Sequence, residues 1–328
     1  MSEKSEHSLA PAQLSNDSAE YIHPTDRPDL TLPNDVKNFL KQLFLECNRK
    51  ISFQLSMFPN AHEESLDLLF ISHFAHMQGA IKFDSNWTLR IDAHFIGGGR
   101  HFRTWEVADI GLMVMFRKNG RITRSKLAFL QSKKLYASPL KYKPQDPHFR
   151  AGLGRLLVTE EEHCELVKTM LLKYSEKSKY KALKLKSEQE GAMSMFSSRH
   201  NITLHYLLYN PSLIPWEIKT PVEGVPTIDE NKVGCRVISK PFLDTSFQDK
   251  QVNYAPSYKD IRDAFKKDFS DQESVAGWKM ENFICDLFIN GKEGLVDDSP
   301  NFQTMLRIMS QKTSPISSAL SITFDFEE

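Results

Sequence analysis

The sequence predicts an α/β fold: a central mixed β-sheet flanked by helices, with additional helices toward the C-terminus. Three observations predict it. Apolar residues recur at helical spacing up to Gly79, then alternate or run continuously at strand spacing between 88 and 131. Helix and strand patterns return in turn after residue 160, an order that places helices against a sheet with both parallel and antiparallel neighbours.

The elements follow in order. Residues 1–34 are rich in Ser, Asp and Pro with little apolar periodicity, and read as a flexible arm. Pro33-Asn34-Asp35 offers a helix start, and Val36, Phe39, Leu40, Leu43, Phe44 and Cys47 continue it as one apolar stripe. A second helix begins near Asn60 to His62, with Leu66, Leu69, Phe70, His73 and Phe74 on its stripe. His73 lies on that stripe and reads as a satisfied core histidine. Strands are expected over 88–95, 108–116 and 126–131, the last two joined by the turn signal Asn119-Gly120. Helices are expected over 160–174 and 180–198, strands over 202–208 and 233–238, and helices over 261–265, 278–288 and 302–309. A final strand covers 320–326. The expected organisation is an arm (1–34), an α/β core (35–240) and a helical extension with a final strand (241–328), packed on the core.

Composition narrows the function classes. No run approaches the roughly 20 apolar residues of a membrane-spanning helix, so no membrane partner is expected. The polar N-terminus has no apolar signal region, and four scattered cysteines form no CxxC pair. A reducing, cytoplasmic setting fits. Net charge is zero, but residues 117–186 hold 18 Lys/Arg against 6 Asp/Glu, leaving 24 against 36 elsewhere. That local field suits a polyanion.

The chemistry concentrates in residues 105–136, WEVADIGLMVMFRKNGRITRSKLAFLQSKKLY. Asp109 opens one apolar strand, and Gln131-Ser132-Lys133 closes the next. With a two-residue turn Asp109 falls opposite Leu130; one or two more residues would move its partner to Gln131 or Ser132. Gln131 and Lys133 share a face. A carboxylate and a lysine here could form a plain ion pair. The alternative is phosphodiester hydrolysis: a hard divalent cation takes oxygen ligands, and an ammonium steadies water and developing charge.

An Asp at a strand start, a hairpin, and (D/E/Q)-x-K at the end of the next strand resembles the PD-(D/E)XK nuclease superfamily, the restriction-endonuclease-like group. The likeness spans residues 60 to about 210. It implies a restriction-endonuclease-like core and a Mg²⁺- or Mn²⁺-dependent endonuclease cleaving DNA. It further implies catalytic roles for Asp109, Gln131 and Lys133, and a helix acid from His62-Glu63-Glu64. Glu63 lies nearer the apolar stripe and is preferred, with Glu64 as substitute. The metal ligands implied are Asp109, Gln131 and Glu63. Gln131 stands where an acid is usual, which weakens metal binding and leaves an inactive, nucleic-acid-binding or scaffolding descendant as the alternative. The Gln-x-Lys-Lys-Leu-Tyr ending looks most like phage-defence effectors, which implies an activating or restraining protein partner and leaves oligomerisation open.

Nucleic-acid contacts are expected from Lys134, Tyr136, Lys141 and Lys143 beside the site, from Arg100 after the triple glycine, and from Gln189, which fits the glutamine-bearing helix of some superfamily branches. Nothing in the sequence reports on the 2′-hydroxyl, so an RNA substrate is a third possibility.

Overall fold

A computed structural model describes residues 32–77, 79–95, 107–139, 170–220, 226–269, 276–297, 308 and 316–326. Two helices open the chain: α1 (Asn34–Met57) and α2 (Glu63–Ala75). After them come β1 (Ile81–Lys82), β2 (Trp87–Phe95), β3 (Ala108–Lys118), β4 (Arg121–Lys134), β5 (Ser138–Pro139) and β6 (Met170–Tyr174). Then follow α3 (Glu188–His200), β7 (Leu204–Tyr209), β8 (Trp216–Thr220), β9 (Arg236–Ser239), α4 (Lys240–Ser246) and α5 (Tyr258–Asp268). The chain closes with β10 (Trp278–Lys279), α6 (Met280–Asn282) running into a π-helical turn (Phe283–Phe288), β11 (Leu295–Asp297) and β12 (Ile316–Phe326).

The large sheet is mixed, as expected, in the order β1-β2-β12-β3-β4-β7-β9-β10, with β11 also pairing β4. β12 runs parallel to β3, and β7 runs parallel to β4. The final strand, expected at the end of an extension, is built into the sheet between β2 and β3. Its burial fits the placement: Leu320, Ile322 and Phe324 are wholly buried on one face, and Ala319 and Ser321 are buried on the other. The C-terminal segment is tied to α1 as well, through Lys37 and Lys41 on Asp286 and through Asn48 on Glu281.

The Asn119-Gly120 turn is a two-residue hairpin with both residues at positive φ, 51° and 75°. Lys118 pairs with Arg121 and Arg117 with Ile122, but Phe116 pairs with Arg124. One residue, Thr123, is therefore extra in β4, and its hydroxyl donates to the Phe116 carbonyl at 3.2 Å. Beyond this bulge Ile110 faces Leu130, so the register carries Asp109 opposite Gln131.

Three expected helices change. Residues 170–174 form β6, with Leu172 and Tyr174 buried at the two-residue period of a strand, in a small sheet of order β5-β6-β8. Residues 180–187 are not helical, because Tyr180 and Leu185 give their backbone N–H groups to the Pro256 and Tyr254 carbonyls. The helix starts only after Ser187, whose hydroxyl caps it. Trp278 and Lys279 are drawn into pairing with β9, so the next helix begins at Met280. Of the helix expected over 302–309, only Ile308 lies within the described residues.

His73 is hydrogen-bonded, with Nε2 at 3.2 Å from the Leu43 carbonyl, but it is half-buried at the edge of the core rather than within it. α2 lies across β2, β12 and β4, which sets its first turn beside the end of the β3–β4 hairpin.

Because β12 is interior, trimming one of its core side chains should cost as much as trimming the hairpin. Ile322→Ala is expected to lower stability by about 2–5 kcal/mol, read from urea unfolding. A loss under about 1 kcal/mol would mean that β12 packs as a loose appendage.

Candidate active site

The site lies where the start of β3, the end of β4, the end of β7 and the first turns of α2 converge. Asp109 is half-buried. Its Oδ2 accepts from the Gln131 amide, from the Ser132 backbone N–H at 2.7 Å and from the Ser132 hydroxyl at 2.8 Å. The Ser318 hydroxyl on β12 donates to the Asp109 carbonyl at 2.9 Å, which fixes the backbone behind the carboxylate. Gln131 is buried, and its side-chain oxygen, Oε1, has no hydrogen-bond partner among the described residues.

Glu63, in the first turn of α2, accepts from the Lys134 backbone N–H at 2.9 Å and sits 3.9 Å from the Lys133 ammonium. Lys133 is buried to the same extent as its neighbours despite its charge. Glu63 is thus the helix acid that meets the hairpin. Glu64 is exposed, though its charge still acts on Asp109.

Two residues absent from the sequence reading complete the cluster. The Ser132 hydroxyl lies 2.9 Å from Asp67 Oδ2 on α2, and the Tyr209 hydroxyl donates to Asp67 Oδ1 at 2.6 Å. Asp67 follows Glu63 by four positions, one helical turn, and that spacing was the available signal. Tyr209 offered none, since a tyrosine closing an apolar strand looks like core.

The electrostatics are unbalanced. Burial pushes the Asp67 carboxyl well above the usual carboxylate range, and the charges of Asp109 and Glu63 push it further. Burial also raises Asp109, partly offset by Lys133 and Ser132, and raises Glu63, partly offset by Lys133. Three acids thus gather in a largely buried corner with Lys133 as the main positive charge and Lys134 acting more weakly on Glu63, which is where a cation or a proton is most wanted.

No protein-family model, curated protein or solved structure matches the chain. The geometry alone carries the reading.

The residues expected to touch nucleic acid fare differently. Lys134 is buried, and its ammonium is held by the carbonyls of Pro59 at 3.0 Å and Ala61 at 2.5 Å, so it fastens the α1–α2 connection rather than facing a phosphate. Strand alternation explains this, because Ser132 and Lys134 both turn toward α2. Tyr136 is half-buried beneath the Lys134 and Lys181 ammonium groups, 4.5 and 5.4 Å from its ring centre. Gln189 is exposed on α3, whose buried polar residue is instead Glu190, bonded by the Tyr206 hydroxyl at 2.9 Å. Arg100, Lys141 and Lys143 lie outside the described residues.

A carboxyl whose folded value is raised adds stability below its unfolded value near 3.8 and withdraws it as pH rises through the folded value. Metal-free protein should therefore lose stability through Asp67 between acid and neutral pH. Asp67→Asn removes that charge, so its melting temperature relative to wild type should be higher at about pH 8 than at about pH 5. A difference that is flat with pH would show that Asp67 is not ionising under strain.

Proposed function

We propose that the chain is a metal-dependent endonuclease acting on DNA, with its active site at the ends of β3 and β4. The observation that carries this reading is the Gln131 carbonyl, buried and unpartnered beside a carboxylate that burial disfavours as an anion. An unmet oxygen acceptor next to an under-compensated acid suits a hard divalent cation. Asp109 and Gln131 would hold it, and phosphate and water would complete the shell. The protein part is sparse: among the described residues no three His, Cys, Asp or Glu side chains stand ready as a metal cage. Glu63 could join through Oε2, since its Oε1 accepts the Lys134 N–H.

Mg²⁺ or Mn²⁺, when bound, would polarise the phosphate and acidify a water. The chain's own groups do the rest. Lys133, steadied by Glu63, orients the attacking water through its N–H groups and offsets the charge that grows on the phosphoryl oxygens. Ser132, held by Asp67 and Asp109 together, fixes the Asp109 carboxylate. Asp67 and Tyr209 act by position. The basic excess of residues 117–186 supports a polyanionic substrate.

One observation favours the rival reading of a nuclease-like fold without hydrolysis. Asp109 Oδ2 already accepts three protein donors, a closed arrangement that needs no cation.

Nicking and linearisation of plasmid DNA with Mg²⁺ or Mn²⁺ tests the proposal. Wild type is expected to cleave, and Lys133→Ala and Asp109→Ala to lose on the order of a hundredfold or more in rate. Cleavage that survives both substitutions would remove this site from consideration. Mn²⁺ is also expected to raise the melting temperature of wild type and not of Asp109→Ala. If neither cleavage nor the metal-dependent rise occurs, the inactive reading replaces the proposal. RNA competing more strongly than DNA would reassign the substrate.

A further inference from the structure

Residues 177–187, KSKYKALKLKS, hold five lysines and no acid. The segment is neither helix nor strand, yet its backbone is fastened on both sides. Lys179 bridges Tyr136 on one side and Ser257 on the other, and Tyr180 and Leu185 give their N–H groups to the Pro256 and Tyr254 carbonyls. The Tyr180 hydroxyl donates to the Asn210 side chain at 2.6 Å, just past β7. This fastening sorts the side chains. Ser178, Tyr180, Leu183 and Leu185 are buried, while the five lysines are exposed. The segment is a fixed ridge with a lysine outer side.

Its charge is unmet. The Lys186 ammonium is bonded to the Gln248 and Lys250 carbonyls at 2.7 and 2.6 Å. Lys177, Lys179, Lys181 and Lys184 form no ion pair among the described residues, and the acid before the run, Glu176, is taken by Arg262. Like charges gathered without acids repel, so the packing of the fold does not account for them. Their position does. Lys181 lies 5.4 Å from the centre of the Tyr136 ring, which Lys134 flanks at 4.5 Å, and the Lys134 N–H is held by Glu63. The ridge therefore begins beside the acid cluster. Glu63, Asp67 and Asp109 repel an arriving polyanion, and an adjacent line of ammonium groups offsets that repulsion.

The chemistry of the ridge narrows the partner. An ammonium is a point charge without the rigid fork of a guanidinium, which suits phosphate oxygens better than base edges. No exposed residue of 177–187 is apolar, so a lipid surface would gain no insertion here.

We propose that Lys177, Lys179, Lys181 and Lys184 form a docking ridge that holds the phosphate backbone of nucleic acid, independent of sequence, beside the acid cluster. This rests on the nucleic-acid reading of that cluster, but binding is measured without cleavage, so the two fail separately.

Fluorescence anisotropy of the full chain with two labelled DNA duplexes of unrelated sequence, in EDTA and at several salt concentrations, tests the ridge. Binding is expected at low salt, falling steeply as salt rises, with the two duplexes within about threefold of each other. Lys179→Gln with Lys181→Gln is expected to weaken it about tenfold or more and to lower the salt slope by about two. Lys179→Arg with Lys181→Arg keeps the charge and should keep wild-type affinity. Lys82→Gln with Lys118→Gln removes the same charge at the turn end of the hairpin, and should change affinity by less than about threefold. All four lysines are exposed, so melting temperatures should stay at the wild-type value. No binding at low salt would overturn the proposal, as would an equal loss in both glutamine doubles. A preference above about tenfold between the duplexes would overturn its independence of sequence. Tighter binding to phosphatidylserine vesicles than to DNA would overturn it in favour of a lipid surface. Ridge-dependent binding with no cleavage in Mg²⁺ would support the ridge and remove hydrolysis, whereas cleavage and binding indifferent to the ridge would remove the ridge alone.

Discussion

One extra residue in β4, taken up as a bulge at Thr123, sets the register of the β3–β4 hairpin and with it the partners that meet at the far end. A one-residue slip along a strand turns every side chain to the other face. Without the bulge Asp109 would oppose Leu130, and its carboxylate would face an apolar neighbour. With it, Asp109 is carried opposite Gln131 and takes both Ser132 donors. The tight Asn119-Gly120 turn and the bulge together therefore decide the chemistry some ten residues away.

Around that register the fold supplies rigidity from three sides. β12 lies beside β3 along nearly its whole length and anchors the Asp109 carbonyl through Ser318. β7 lies beside the end of β4 and delivers Tyr209 to Asp67. The first turns of α2 close the third side with Glu63 and Asp67. Every acid in the cluster is thus positioned by a donor from another element. Sites built this way hold geometry well.

The same convergence is electrostatically costly. Gathering Glu63, Asp67 and Asp109 in a buried corner with Lys133 as the close ammonium raises all three carboxyls. A fold optimised only for stability would place apolar side chains here, since the surrounding strands are almost entirely apolar. Lys134, by contrast, shows the structural use of a charged group: its ammonium satisfies two backbone carbonyls in the α1–α2 connection.

The sequence by itself determined the mixed α/β class, both opening helices, the hairpin with its turn, and the grouping of Asp109, Gln131 and Lys133 with a helix acid at Glu63. The class, the helices and the hairpin rest on local periodicity and turn chemistry, which are written in neighbouring residues, whereas the helix acid was implied by the resemblance. Tertiary structure alone decided the rest. The β12 position between β2 and β3 and the conversion of residues 170–174 to a strand depend on pairing between distant segments. So do the unwinding of 180–187 against 254–256 and the roles of Asp67, Ser132 and Tyr209. A hydroxyl or carboxyl on one element gains its partner only when another element is packed against it. No spacing within a single segment encodes that meeting.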